Sequence, residues 1–228
     1  MQDEYLTSGE ANIRNMIEGL KFCDENGFEP VECGYMPDAF GNIAQLPQIL
    51  NGFNIKTAVF GRGIGIIYAD NVADESVKND KEIIWCGADG SRVDGIMFRN
   101  WYNNAWELPS GDKEEIKEAY TKLLDLLEGG AMTPHLLGMN GCDHQPVQCD
   151  LPESIKKANE IFGDRVEIKH SNFKDYINAV KPYVDSFTKI EGEIIGQRTK
   201  GTGLLIDTAS THMPLKQKNH ATQNLFAQ

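Results

Sequence analysis

The sequence predicts an α/β protein, and three features predict it. Short apolar runs alternate with longer stretches of helical period, the runs are mostly uniform in their apolarity, and the long helical stretches open on capping signals. Uniformly apolar runs suit strands that helices cover on both faces, which points to a parallel sheet or barrel. At 228 residues the chain can bury a sizeable core, and no internal repeat or low-complexity segment divides it.

In chain order, Thr7 and Glu10 have capping-box spacing, and Ile13, Met16, Ile17 and Leu20 follow on one helical face. A strand is expected at 30–35 and a short helix at 42–50, followed by strands at 57–60, 83–86 and 95–99. Asp112 and Glu115 open the next long helix, which carries Ile116, Tyr120, Leu123, Leu124 and Leu127 until Gly129-Gly130 stops it. A strand at 135–139 precedes a helix opened by Asp150, Pro152 and Glu153 and lined by Ile155, Ala158, Ile161 and Phe162. A strand at 166–170 and a helix at 173–180 complete the regular part, and 188–203 reads as loop.

The formal net charge of −12 argues against a nucleic-acid partner, because phosphate binding needs a basic face. An acidic surface is compatible with a neutral substrate such as a sugar. No apolar run approaches the roughly 20 residues of a membrane span. The start, Met1-Gln2-Asp3-Glu4, lacks the basic and apolar regions of a signal peptide. The five cysteines are odd in number and form no CxxC, so the expected location is a reducing cytoplasm.

In parallel α/β folds the chemistry gathers on loops after the strands' carboxyl ends, which directs attention to 36–42, 61–65, 100–106 and 140–148. Within Gly34-Tyr35-Met36-Pro37-Asp38-Ala39-Phe40-Gly41-Asn42, a carboxylate sits on a stiff turn with an aromatic beside it. Spacing alone also allows Asp38 to be a helix cap. In Met139-Asn140-Gly141-Cys142-Asp143-His144-Gln145-Pro146 a second carboxylate follows an apolar run. Hydrolysis of a glycosidic bond needs two such groups, one to protonate the leaving oxygen and one to attack carbon or activate water. Arg62 and the cluster Trp101, Tyr102, Asn103, Asn104 and Trp106 add aromatic platforms and amides, which suit sugars and equally suit the edge of a core.

Together these stretches resemble the α-mannosidases of glycoside hydrolase family 38, especially the bacterial branch. The resemblance rests on the Asp38 motif, on Gln45-Leu46-Pro47-Gln48-Ile49-Leu50, Gly52-Phe53 and Ala58-Val59-Phe60-Gly61-Arg62-Gly63, and on Asn140-Gly141-Cys142-Asp143-His144-Gln145-Pro146. Asp3-Glu4-Tyr5-Leu6 with Ser8-Gly9-Glu10, and Leu215-Lys216-Gln217 with Asn219, extend it towards both ends of the chain.

The resemblance implies a partial parallel (β/α)7-type barrel over 1–187, with 188–228 as the end of the barrel and a connection towards a helical bundle. It implies hydrolysis of terminal α-linked mannose from oligosaccharides with retention of configuration. Asp38 would be nucleophile and metal ligand, and Asp143 the acid/base. Phe40, Arg62 and Tyr102 would line the sugar site, and the metal would be a divalent ion, usually Zn2+. The family's His-x-Asp pair is absent, the earliest histidine being His135, so of the usual ligands only Asp38 remains. The chain is therefore expected to match part of the catalytic domain, to lack its first strands and the bundle, and to be metal-poor and inactive alone. Exposed barrel edges would favour self-association. Two alternatives remain: a non-catalytic carbohydrate-binding or scaffold remnant, and a metal-dependent carbohydrate deacetylase, for which five scattered histidines offer no convincing spacing.

Overall fold

The computed structural model describes residues 3–63, 68–69, 72–73, 82–195, 204 and 206–226. Ser8 caps the first helix, α1 (Gly9–Glu25), by accepting from the Ala11 amide, so the cap lies one residue after the expected Thr7. Strand β1 (Gly34–Met36) leads through the Asp38 turn to α2 (Leu46–Gly52), whose Pro47 sits in the first turn, where no intrahelical donor is needed. Strand β2 (Thr57–Phe60) is buried at every position. A two-residue pair, β3 (Tyr68–Ala69) and β4 (Val72–Ala73), forms its own ladder.

Strands β5 (Glu82–Cys86) and β6 (Arg92–Met97) form a hairpin around Asp89-Gly90, with Gly90 at φ 82°. The helices α3 (Lys113–Glu128) and α4 (Leu151–Phe162) pack together. Asp112 caps α3 as expected, accepting from the amides of Glu114 and Glu115. Helix α5 (Phe173–Val180) leads through a 3-10 turn to β7 (Thr188–Glu191), and a second 3-10 turn precedes α6 (Met213–Phe226).

The main sheet has the order β1-β2-β6-β5-β7. β1, β2 and β6 run parallel, β5 runs against β6, and β7 is parallel to β5. The sheet is therefore mixed, where an all-parallel one was expected. The Asp89-Gly90 turn is the physical reason, since it reverses the chain too tightly for a helical crossover. Two further expectations fail. Residues 135–139 and 166–170 are extended without entering a ladder, and part of the expected loop at 188–203 is strand β7.

Alternate side chains supply two cores, as the pleat requires. One face of the sheet carries Ala58, Phe60, Ile83 and Trp85 against Leu46 and Leu50 of α2. The other carries Val59, Ile84, Ile96 and Phe98 against Tyr176 and Val180 of α5. Phe60 meets Trp85 edge-on at 5.3 Å between ring centroids, and the Trp85 indole donates to the Gly192 carbonyl at 2.7 Å. Burying each such aromatic contributes about 1.5–3 kcal/mol.

Candidate active site

Register decides where the polar residues fall. Met36 pairs with Phe60 and Phe60 with Met97, so the three parallel strands end level with one another. Asp38, Arg62 and the 100–106 turn therefore leave the sheet from the same end. The first two turns are locked together: the Gly61 amide donates to the Met36 carbonyl at 3.1 Å, and a Cβ at Gly61 would run into the Pro37 carbonyl. Only glycine lets the Arg62 backbone approach the Asp38 turn this closely.

Across that junction the Arg62 Nε meets Asp38 Oδ1, with both side chains largely covered. The guanidinium carbon lies 3.8 Å from the centroid of Trp101 and 5.7 Å from that of Phe40. Arg62 is thus stacked as well as ion-paired, an arrangement lysine cannot reproduce. Trp101 stands at φ 96° and Asn100 at φ 56°, two successive non-glycine residues in the left-handed region. Such backbone strain persists only where the surroundings over-determine it.

Those surroundings are amides. Asn104 donates to the Arg99 carbonyl at 2.7 Å and accepts from the Met139 amide at 2.7 Å. Asn140 donates to the Ala105 carbonyl at 2.7 Å, and the Ala105 amide donates to the Met139 carbonyl at 3.0 Å. Residues 139–140 are held beside the 100–106 turn by these bonds, and they lead to Asp143.

Tyr102, next to Trp101, donates its hydroxyl to Asp143 Oδ2 at 3.1 Å. Burial raises the Tyr102 phenol above its ordinary pKa, and the charges of Asp38 and Asp143 raise it further. Tyr35 on β1 is raised first by burial and then by the Asp143 charge. The structure therefore joins Asp38, Arg62 and Phe40 in one group and Asp143 with Tyr102 in another, with Trp101-Tyr102 spanning the two. Asp143 is exposed, on a loop that follows a segment outside the sheet. His144, at φ 61°, is exposed beside it. Asn104 is the structural residue that the sequence reading passed over as one amide among several.

The resemblance implies a divalent metal held in part by Asp38. Among the described residues no three His, Cys, Asp or Glu side chains form a group that could hold one, and Asp38 faces a guanidinium. The described residues do not by themselves fit a divalent metal, and no step below uses one. No helix of the described residues is long and apolar enough to cross a membrane. All five cysteines are free thiols.

Two carboxylates served by an arginine, a tyrosine and an indole are a set suited to glycoside chemistry. The family model "Glycosyl hydrolases family 38 N-terminal domain" matches residues 1–193, and the chain belongs to glycoside hydrolase family 38. It is 43 % identical over 229 residues to the Halalkalibacterium halodurans protein named "Putative mannosylglycerate hydrolase", a match covering 99 % of this chain and 25 % of the relative. The mouse protein "Alpha-mannosidase 2C1" is 33 % identical over 91 residues, 40 % of this chain and 8 % of that one. The crystal structure of an alpha-mannosidase from Enterococcus faecalis V583 superposes with a TM-score of 0.79 at 39 % identity, over 88 % of this chain and 22 % of that one. A second Enterococcus faecalis structure, a protein in glycosyl hydrolase family 38, gives 0.65 at 33 % identity, over 84 % and 19 %. The chain thus spans about a quarter of the length of the Halalkalibacterium halodurans relative and 22 % of the Enterococcus faecalis V583 alpha-mannosidase chain.

Proposed function

We propose that this chain carries the carboxylate pair of a retaining α-mannoside hydrolase, with Asp38 as nucleophile and Asp143 as acid/base. The observation that supports the reading best is Tyr102, which bonds Asp143 and feels the charge of Asp38 as well. Asp38 attacks the anomeric carbon while Asp143 protonates the leaving oxygen; water then releases the sugar, with Asp143 taking its proton. Arg62 keeps the Asp38 carboxylate oriented, and Phe40 and Trp101 screen the pair from water. The substrate is a terminal α-linked mannoside, as the names of an alpha-mannosidase and a mannosylglycerate hydrolase among its relatives suggest.

The chain alone is proposed to be catalytically weak and to hold no resident metal, since Asp38 is the one residue that matches the family's ligand set. A non-catalytic sugar-binding role is the second reading, favoured by the exposure of Asp143. The test is turnover of an aryl α-mannoside, with and without added Zn2+, by the chain and by Asp38→Asn. Background rates in every case, with weak mannoside binding, support the weak-chain reading. Stoichiometric Zn2+ with turnover that Asp38→Asn abolishes overturns the inactivity and keeps the nucleophile. Turnover that Asp38→Asn leaves unchanged overturns the assignment of Asp38.

A further inference from the structure

A third carboxylate lies near the Asp38 turn and is buried. Glu4 is 4 % exposed, and its Oε2 accepts from the Ile43 amide at 2.8 Å, across 39 positions of sequence. Its Oε1, and both side-chain polar atoms of Asn42 at 1 % exposure, have no hydrogen-bond partner among the described residues. A buried carboxylate with one backbone bond and no cation among the described residues is costly, and protonation lowers that cost.

The neighbours form one cluster. Gly41 stands at φ 126°, where a Cβ would come within 2.6 Å of the Tyr5 ring. The Asn42 backbone exchanges bonds of 3.0 and 2.9 Å with Ile194. Burial raises the Tyr5 phenol well above its ordinary pKa, and the nearby Glu193 charge raises it further. The 3–5 segment, the 38–43 turn and the residues after β7 are thereby joined close to Asp38.

We propose that Glu4 is a positioning residue for Asp38: it clasps the 38–43 turn through the Ile43 amide and so holds the Asp38 carboxylate against Arg62. The inference rests on the mannoside-hydrolase reading for the role of Asp38, while the clasp itself rests on geometry. Burial raises the Glu4 carboxyl to about 7, the Ile43 bond lowers it, and the Asp3 charge raises it slightly. Among the described residues, the charged or titratable groups around the cluster are Asp3 and Tyr5 on the same segment and Glu193 beyond Tyr5; the turn itself presents the uncharged Ile43 amide and Asn42. A carboxyl raised on folding contributes stability that is fully present below its unfolded value and lost as the pH rises through about 7. Ionisation over that interval strengthens the Ile43 bond itself and adds the cost of a buried charge, so the surroundings of the clasp change with it.

The test is NMR of the full chain and of Glu4→Gln and Glu4→Leu, following the Ile43 amide and the Arg62 Nε–H signal from about pH 5 to 9 without substrate. In the unsubstituted chain both signals are expected to shift together with a midpoint near neutral pH. Glu4→Gln, which keeps an acceptor for Ile43 and cannot ionise, is expected to hold both at their low-pH positions. Glu4→Leu is expected to displace the Arg62 signal throughout. An Ile43 amide that does not titrate, or that titrates equally in Glu4→Gln, overturns the proposal, as does an unmoved Arg62 signal in folded Glu4→Leu. If Glu4→Leu does not fold, the comparison with Glu4→Gln decides alone. These signals are read without turnover, so the clasp can fail or hold independently of whether the chain hydrolyses a mannoside.

Discussion

The guanidinium of Arg62 lies 3.8 Å from the ring centroid of Trp101, a residue held at φ 96°, where side chains other than glycine's are rare. The strain and the stack fall on the same residue. Trp101→Leu should cost about 0.5–2 kcal/mol through loss of the cation–π contact. Chemical denaturation of the two proteins measures it, and an unchanged midpoint would show the stack to be energetically idle.

Gly61→Ala should be far more severe than an ordinary glycine substitution. The new methyl would overlap the Pro37 carbonyl, so β2 or the Asp38 turn must move. A loss of at least about 1–3 kcal/mol is expected, together with changed signals from Arg62. Retention of wild-type stability would mean that the two turns are not locked.

Ser154 joins the α3–α4 pair to the rest of the chain. It is fully buried, donates to the Pro109 carbonyl at 2.6 Å, and lies 2.9 Å from the Tyr120 hydroxyl. Ser154→Ala strands both groups and should destabilise the chain by about 1–3 kcal/mol. Adding Tyr120→Phe should recover part of that loss, which a double-mutant cycle reads directly.

The cysteines should separate by reactivity. Burial pushes the Cys33 thiol up to about 12, so almost no thiolate exists at pH 8, whereas Cys149 is exposed. Iodoacetamide should label Cys149 in the folded protein and Cys33 only after unfolding. Peptide mass mapping distinguishes the two, and early labelling of Cys33 would contradict its burial.

Much of the sheet was legible because β2, β5 and β6 carry apolar runs that only strands at the centre of a sheet need. The hairpin was not read, although Asp89-Gly90 between two strands is a local turn signal for one. Strand β7 escaped because Thr188-Lys189-Ile190-Glu191 offers one buried apolar side chain. The run at 135–139 misled in the opposite sense: it is apolar, yet its backbone is satisfied in part by Asn104 instead of by a ladder. Asp38, Arg62 and Phe40 could be grouped from the strand-end rule alone. The bond from Tyr102 to Asp143 depends on amide contacts between segments some 35 residues apart, for which no local pattern exists.

Asn104→Ala should test that dependence. Losing its bonds to Arg99 and Met139 should speed exchange of the Met139 amide and weaken the contact between Tyr102 and Asp143. Unchanged exchange at Met139 would show the backbone bond from Ala105 to be sufficient.

The side-chain links that hold residues 139–140 beside the 100–106 turn are carboxamides, and carboxamides neither gain nor lose protons over the range in which proteins stay folded. The frame is therefore blind to acidity, and salt has no ionic link there to screen. By contrast, this frame brings the Tyr102 phenol to the Asp143 carboxyl, and both are groups that can carry a proton. Acidity can alter what these groups carry without altering where the frame puts them, so a pH response of this half of the site reports chemistry and not loosening.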